Sequence, residues 1–321
     1  MDCALALIQR GHAVGLVASA LKLTRSNLFK AKKKSSNRTK TTRQRSRSYE
    51  DARLLSEIRS FLKRFPSFGY RRLQALINRD RRKRGESPVN HKRVYRVLKN
   101  SGLLLREKPE LPGRRRPHNG KVSVPVSDTR WCSDGLEFKC LNGESISMTF
   151  VLDCCDREII SFVAKTGRGL PGWMVREAMI LAVEKRFGDY VHHPRVQFLS
   201  DNGSAYRAVK TENLMMKLNL QRCRTAVCSP ESNGMAESMV RTLKRDYLPF
   251  IDLSTAEVAL KQLMGIVRLY NEEHPHSALG YQSPKEFRAK HCESEIEPLY
   301  NENIVINLGR TATSLIHPMA R

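Results

Sequence analysis

Six carboxylates in the C-terminal two thirds of this 321-residue chain sit where side chains can do chemistry. Asp134 lies in the β-rich run RWCSD. Asp201 closes the apolar run VQFLS and precedes Asn202-Gly203, so it falls where a strand gives way to a turn. Strand ends of this kind are where α/β sheets gather ligands and catalytic groups. Glu237 lies in the segment SPESNGMAES (Ser229–Ser238), in the first turn of a helix that begins after Gly234, while Glu231 precedes the glycine. Asp153 and Asp156 flank the turn DCCDRE, and turn formation by aspartate side chains accounts for both. Three carboxylates on separate elements, Asp134, Asp201 and Glu237, can converge on two hard divalent cations. Mg²⁺ takes oxygen ligands and leaves positions open for water and phosphate oxygens. Two such ions about 3.5–4 Å apart activate a nucleophile on one side of a phosphodiester and stabilise the leaving oxygen on the other.

These acids need a frame, and the sequence from residue 127 supplies one. RWCSD, ISMTFVLDCC, REIISFVAK and RVQFLSD have strand composition. PGWMVREAMILAVEKRFG reads as an amphipathic helix, followed after Asp201 by a helix over about 205–219, a short strand QRCRTAV and the helix MAESMVRTLKRDYL. Three strands, then helix, strand, helix, strand, helix, predict an α/β domain with a mixed sheet. On the last helix, positions i, i+4 and i+7 share a face, which aligns Glu237, Arg241 and Lys244.

Charge divides the chain differently. Residues 1–120 carry 32 Lys+Arg against 8 Asp+Glu, and the remaining 201 residues carry 25 against 24. A basic arm on a neutral domain points to a polyanion, nucleic acid before a membrane surface. Residues 4–34 read as short helices, with Thr24 capping the basic helix RSNLFKAKKK that holds Arg25 and Lys30. This is helix-turn-helix grammar, shared with any small helical bundle. SSNRTKTTRQRSRS (35–48) reads as a basic linker. A second helical unit follows: EDARLLSEIRSFLKRF with its apolar stripe, a segment carrying Arg71 and Arg72, and HKRVYRVLKN, capped by Asn90 and stopped at Gly102. Lys92, Arg93, Arg96 and Lys99 face outward on that last helix. It is either a major-groove reader or a packed helix whose basic face touches phosphates.

The boundaries expected are 1–48 for a helix-turn-helix-like unit and linker and 49–108 for the second DNA-binding unit. A Pro-rich linker covers 109–126, the catalytic core 127–250 and a helical tail 251–321. No apolar run approaches the ~20 residues of a membrane span, and the N-terminus makes a poor signal peptide. Eight cysteines without regular spacing suit a reducing cytoplasm.

Taken together, WCSDG, LSDNGS and SPESNGMAES resemble the catalytic segments of the DDE transposases and retroviral-type integrases. Thirty-five residues separate Asp201 from Glu237, the spacing such enzymes show between second and third acids, and Lys244 stands where they carry a basic residue. YNEEHPHSALGYQSP (270–284) resembles the tail motif of the insertion sequence 3 family. The resemblance covers about residues 50–290. It implies an RNase H-like core, Asp134, Asp201 and Glu237 as catalytic metal ligands, Mg²⁺ with Mn²⁺ as a substitute, and no role for Glu231. Asn233 would lie in a mobile loop that approaches DNA. The reaction implied is cleavage of a 3′ strand at each element end by water, then attack of the freed 3′-OH on another phosphodiester. The partners implied are terminal inverted repeats and target DNA, further copies of the chain on DNA, and an upstream OrfA product, separate or fused to this OrfB-type chain. The location implied is bacterial cytoplasm, at the nucleoid. A DNA-binding regulator with an inactive core is the alternative, opposed by the intact triad; a plain RNase H-type nuclease is less suited to the basic arm.

Other motifs have plainer readings. His192-His193-Pro194-Arg195 reads as a polar turn. His274 and His276 read as structural. SPKE (283–286) is a capping box with Pro at the first helical position. No paired His/Cys module for zinc is recognisable.

Overall fold

The computed structural model describes residues 2–35, 40–105, 124–188, 193–201, 203–224, 234–291 and 306–307. Most of the expected 109–126 linker and of the tail beyond 291 lies outside them, as do Asn233 and Glu231. The chain divides into two compact units, Met1–Ser60 with Lys92–Leu103, and Phe61–His91 with Leu104–Arg321.

In the first unit, α1 (Asp2–Gln9), α2 (Val14–Ala20) and α3 (Arg25–Ser35) close over Ala4, Val17, Ala18 and Leu28. The helix α4 runs Lys40–Arg64, so residues 40–48 are helical where a linker was expected. That stretch lacks Pro and Gly. Once the stripe that buries Leu54 and Ile58 nucleates a helix, extending it costs little. The helix α6 (His91–Asn100) buries Val94, Val97 and Leu98. It ends at Gly102, whose φ of 66° is the left-handed conformation glycine adopts without penalty.

The second unit begins with α5 (Tyr70–Lys83), which buries Leu73, Leu76 and Ile77. The strands are β1 (Arg130–Lys139), β2 (Ser145–Asp153), β3 (Ile159–Thr166), β4 (Val196–Ser200), β5 (Leu220–Arg224) and the two-residue β6 (Ile306–Asn307). Their order is β5-β4-β1-β2-β3-β6. The first three strands are antiparallel; β4 and β5 run parallel to β1. This is the mixed RNase H-like sheet that the resemblance implied.

Side chains of β1 alternate between the sheet faces. Trp131 joins the core under α7 (Gly172–Phe187), where Met174, Val175, Ala178, Met179, Ala182 and Val183 form one buried stripe. Cys132 and Leu136 join the opposite core, with α10 (Gly234–Asp246) and α11 (Ala256–Glu273). The single helix expected over 205–219 is two, α8 (Ser204–Arg207) and α9 (Val209–Lys217), with an extended Ala208 between them. Finally, α12 (Pro284–His291) starts on the expected capping box: Ser283 N donates to Glu286, and Glu286 N donates to the Ser283 hydroxyl, at 3.0 and 3.2 Å.

Candidate active site

Asp134 lies on the same β1 face as Cys132 and Leu136, and therefore toward α10. Cys132 is level with Leu199 on the parallel β4. Beyond the end of that pairing, Asp134 and Asp201 line the same cleft. Glu237 is exposed in the first turn of α10, the helix end that favours an anion. Three elements thus deliver three carboxylates to one end of the sheet.

Asp134 is half-buried and registers the other two electrically. Burial raises its carboxyl above the usual range, the Gly135 N–H partly offsets this, and the charges of Asp201 and Glu237 raise it again. Lys244 is the cation that lowers it. The set is all oxygen and short of positive charge, which fits hard divalent cations. Among the described residues, no three such side chains are drawn together as a ready-made metal cage. Asp201 and Glu237 are exposed at the ends of their elements.

The supporting groups were not found by sequence reasoning. The Tyr206 hydroxyl, on α8, lies 2.7 Å from the Ser133 hydroxyl and 3.3 Å from that of Thr149. Thr149 in turn donates to the Asp134 carbonyl at 3.1 Å, so this buried network holds the Asp134 backbone from the far face. Asp201 accepts from Gly203 N at 3.0 Å, and a Cβ at 203 would lie 2.9 Å from that carboxylate oxygen. A side chain at 203 would push the Asp201 carboxylate aside, so glycine leaves it this seat, and the Asn-Gly after Asp201 was its one visible signal. An open cleft of about 330 Å³ runs from Asp134 and Asp201 past Leu170 and Tyr206 to Glu137. Glu137 there accepts from Gly169 N at 2.6 Å and pins the loop after β3.

The expected DNA-contacting residues divide into two groups. Arg241 and Lys244 are exposed on α10 and make no ion pair among the described residues. Arg25 and Lys30 are exposed on α3, and Lys92, exposed on α6, is engaged with a neighbour. Arg71 is exposed and lies over the Tyr70 ring. The others are engaged with the chain's own acids. Arg72 reaches buried Asp246 at 2.7 Å, Arg93 reaches Asp51 at 2.8 Å and Glu50 at 2.9 Å, and Arg96 reaches Asp51 at 3.0 Å.

Asp153, Asp156, His193, His274 and His276 make contacts within the fold. Asp153 accepts from the backbone of Asp128, Cys155 and Asp156, and Asp156 accepts from Glu158 N. Asp156, Asp128 and Glu158 surround buried Arg186, and Arg288 of α12 joins Asp128 and Asp156. Burial works to raise the Glu158 carboxyl, but Arg186 and Lys185 outweigh it and hold it at about 2. His193 is buried against the Leu218 carbonyl at 2.9 Å. His274 and His276 hydrogen-bond Tyr247 and Tyr270, each at 2.7 Å.

Residues 218–284 match the family model described as Integrase core domain, and residues 48–109 match HTH-like domain. The chain is 44% identical over 293 residues to the transposase InsD for insertion element IS2A/D/F/H/I/K of Escherichia coli, covering 91% of this chain and 96% of that protein. It is 43% identical to the transposase InsD for insertion element IS2-9 of Escherichia coli (strain K12), covering 91% and 94%. Among solved structures, a chain of the simian T-cell lymphotropic virus intasome in complex with PP2A regulatory subunit B56 gamma aligns with a TM-score of 0.43 at 14% identity, over 70% of this chain and 73% of that one. With this identity over nearly its whole length, the chain belongs to the DDE transposases of the insertion sequence 3 family, enzymes of DNA transposition and integration.

Proposed function

We propose that Asp134, Asp201 and Glu237 hold the divalent ions, Mg²⁺ with Mn²⁺ as a substitute, for strand cleavage and strand transfer at the ends of an insertion element. The observation that carries this reading is the placing of Asp134 and Asp201 in one cleft, with Glu237 of the first turn of α10 near enough for its charge to reach Asp134. When bound, the ions supply Lewis-acid activation of a water or 3′-OH and stabilisation of the leaving oxygen. The chain's own groups do the rest. Tyr206, Ser133 and Thr149 keep β1 in place under Asp134, and Gly203 lets Asp201 turn toward the cleft. Arg241 and Lys244 hold phosphates on either side of the scissile bond, with Asn233 approaching the same strand.

The labour divides along the chain. Residues 1–48 and 49–108 supply most of the DNA affinity through Arg25, Lys30, Arg71 and Lys92. Residues 109–126 join them to the chemistry of 127–250, with 251–321 as the tail. The working assembly contains further copies of the chain on DNA and an OrfA partner or fusion, in the bacterial cytoplasm. No helix among the described residues is long and apolar enough to cross a membrane.

The test is cleavage and joining of an end-containing duplex. Asp134→Asn, Asp201→Asn and Glu237→Gln should each lower the rate by roughly a hundredfold to a thousandfold or more, with duplex affinity largely kept. Glu231→Gln should retain most activity. Cleavage that survives EDTA, or a dispensable Glu237 beside an essential Glu231, would refute the assignment.

A further inference from the structure

We infer that Arg72 is a positioning residue for the third acid: through Asp246 it fixes the setting of α10, and with it Glu237. The inference rests on the reading of Glu237 as a metal ligand.

Glu237 stands in the first turn of α10 and Asp246 is its last residue. Nine residues of α-helix span about 13 Å and move as a rod, so holding one end sets the other. The held end is Asp246. Its side chain has no exposure, and it takes Arg72 at 2.7 Å and Arg245 at 2.7 and 2.8 Å. A carboxylate at a helix C-terminus faces the negative end of the helix dipole. Burying it there is favourable only because guanidinium groups arrive to meet it, and one of them comes from α5, 174 residues away in sequence.

Arg72 is itself held. Its guanidinium carbon lies 5.2 Å above the Phe68 ring. Phe68 is buried, stacks on Phe65 at 4.7 Å and meets the His274 ring edge-on at 5.3 Å. His274 hydrogen-bonds Tyr247, the residue after Asp246, so two consecutive positions at the end of α10 are fixed. Arg79 fastens the rest of α5 to Glu286 at 2.6 Å and to the Glu273 carbonyl at 3.2 Å, and Arg64 pairs with Glu273. The segment around 273–286, the tail motif, thereby serves as the socket for α5. A basic residue that composition offers to DNA is turned inward to brace the helix that carries Glu237.

The test uses the full chain. Arg72→Met keeps an apolar stem over Phe68 and removes the guanidinium; Asp246→Asn is isosteric and serves if the first variant folds poorly. At saturating duplex and Mg²⁺, either change should slow cleavage roughly tenfold to a hundredfold, the scale of a small misplacement of a catalytic group. Duplex Kd should be unchanged. Hydrogen exchange should quicken in residues 236–241, a full helix away from the substitution, while β1, β2 and α7 keep their protection. The double variant should be no slower than the worse single one. Weaker duplex binding with an intact rate at saturation would make Arg72 a phosphate contact and overturn the inference. So would an unchanged rate, or exchange that rises through the whole sheet, which marks a general loss of stability. Full activity in Glu237→Gln would sink the metal assignment alone, because the exchange result reports the brace without reference to chemistry.

Discussion

Lys244 and Arg241 share with Glu237 the exposed face of α10, and neither is occupied by a carboxylate among the described residues. A salt-bridged surface face would predict little effect from removing such a charge. An active-site face predicts that Lys244→Ala weakens binding to the element end and lowers the log–log salt slope by about 1, with slower cleavage and joining and normal folding. Lys244→Arg should keep part of the activity, since the charge remains. Full activity of Lys244→Ala across a range of salt, in a strand-transfer assay, would remove it from the site. The placing of Asp201 and Glu237 at the ends of their elements was legible in the sequence, because Asp201 closes an apolar run and Gly234 precedes the helix of Glu237. Arg72, Arg93 and Arg96 were not legible as ion-pair partners. Whether an arginine meets a phosphate or an aspartate is decided by which carboxylate the fold brings within reach, and Asp246 is far from Arg72 in sequence.

The long helix α11 and the turn after it hold the sheet from one side. Asn271 donates to the Ile159 carbonyl and accepts from Ile159 N, both at 2.9 Å and both buried, which ties α11 to the start of β3. Asn271→Ala would strand both backbone groups at a cost of about 1–3 kcal/mol, seen as a drop of several degrees in a thermal melt. The histidines beyond it make this element sensitive to acid. Burial, aided by the charge of Arg157, lowers His276 to about 3, and burial lowers His274 well below its usual value. Unfolded histidine takes its proton near pH 6.5. The pair therefore stabilises the fold fully above that pH and loses its contribution as pH falls toward the folded value. Between pH 6.5 and 5 the loss from His276 should be about 1–2 kcal/mol, and His276→Gln should flatten the pH dependence of the melting temperature in that window. The strand and helix pattern of the core was readable from period, except for the break at Ala208. The start of α4 was not, because a polar, breaker-free stretch takes its conformation from the helix next to it.

For the chain as a whole, composition and packing place the division differently. Charge changes near residue 120, whereas Phe61–His91 belongs to the compact unit that contains the sheet. A fragment 61–321 should therefore keep α5 in its socket and melt cooperatively. A fragment 127–321 would expose the surroundings of Phe68 and leave Asp246, Glu273 and Glu286 without Arg72, Arg64 and Arg79, and should melt several degrees lower or aggregate. Both should bind duplex DNA more weakly than the full chain and with a flatter salt slope, since each phosphate contact contributes about 0.9 to it. Filter binding over a salt series checks this; equal slopes for the full chain and 127–321 would place the affinity in the core instead.

The burial of Asp134, added to its crowding against Asp201 and Glu237, also sets a balance between loading and folding. Because the Asp134 carboxyl lies above its ordinary range, the unfolded chain gives up that proton more readily than the folded one. Its contribution is present at low pH and lost as pH rises, so at neutral pH the metal-free site works against its own fold. Asp134→Asn keeps the hydrogen bond from Gly135 N and removes the repulsion, and should raise the metal-free melting temperature by about 1–3 °C. An ion that binds only the folded site acts in the same direction by mass action. Adding Mg²⁺ should thus lift the wild-type melt toward that of the inactive variant and leave the variant where it was, so that the transposase is least sturdy when the three acids face one another with no cation between them.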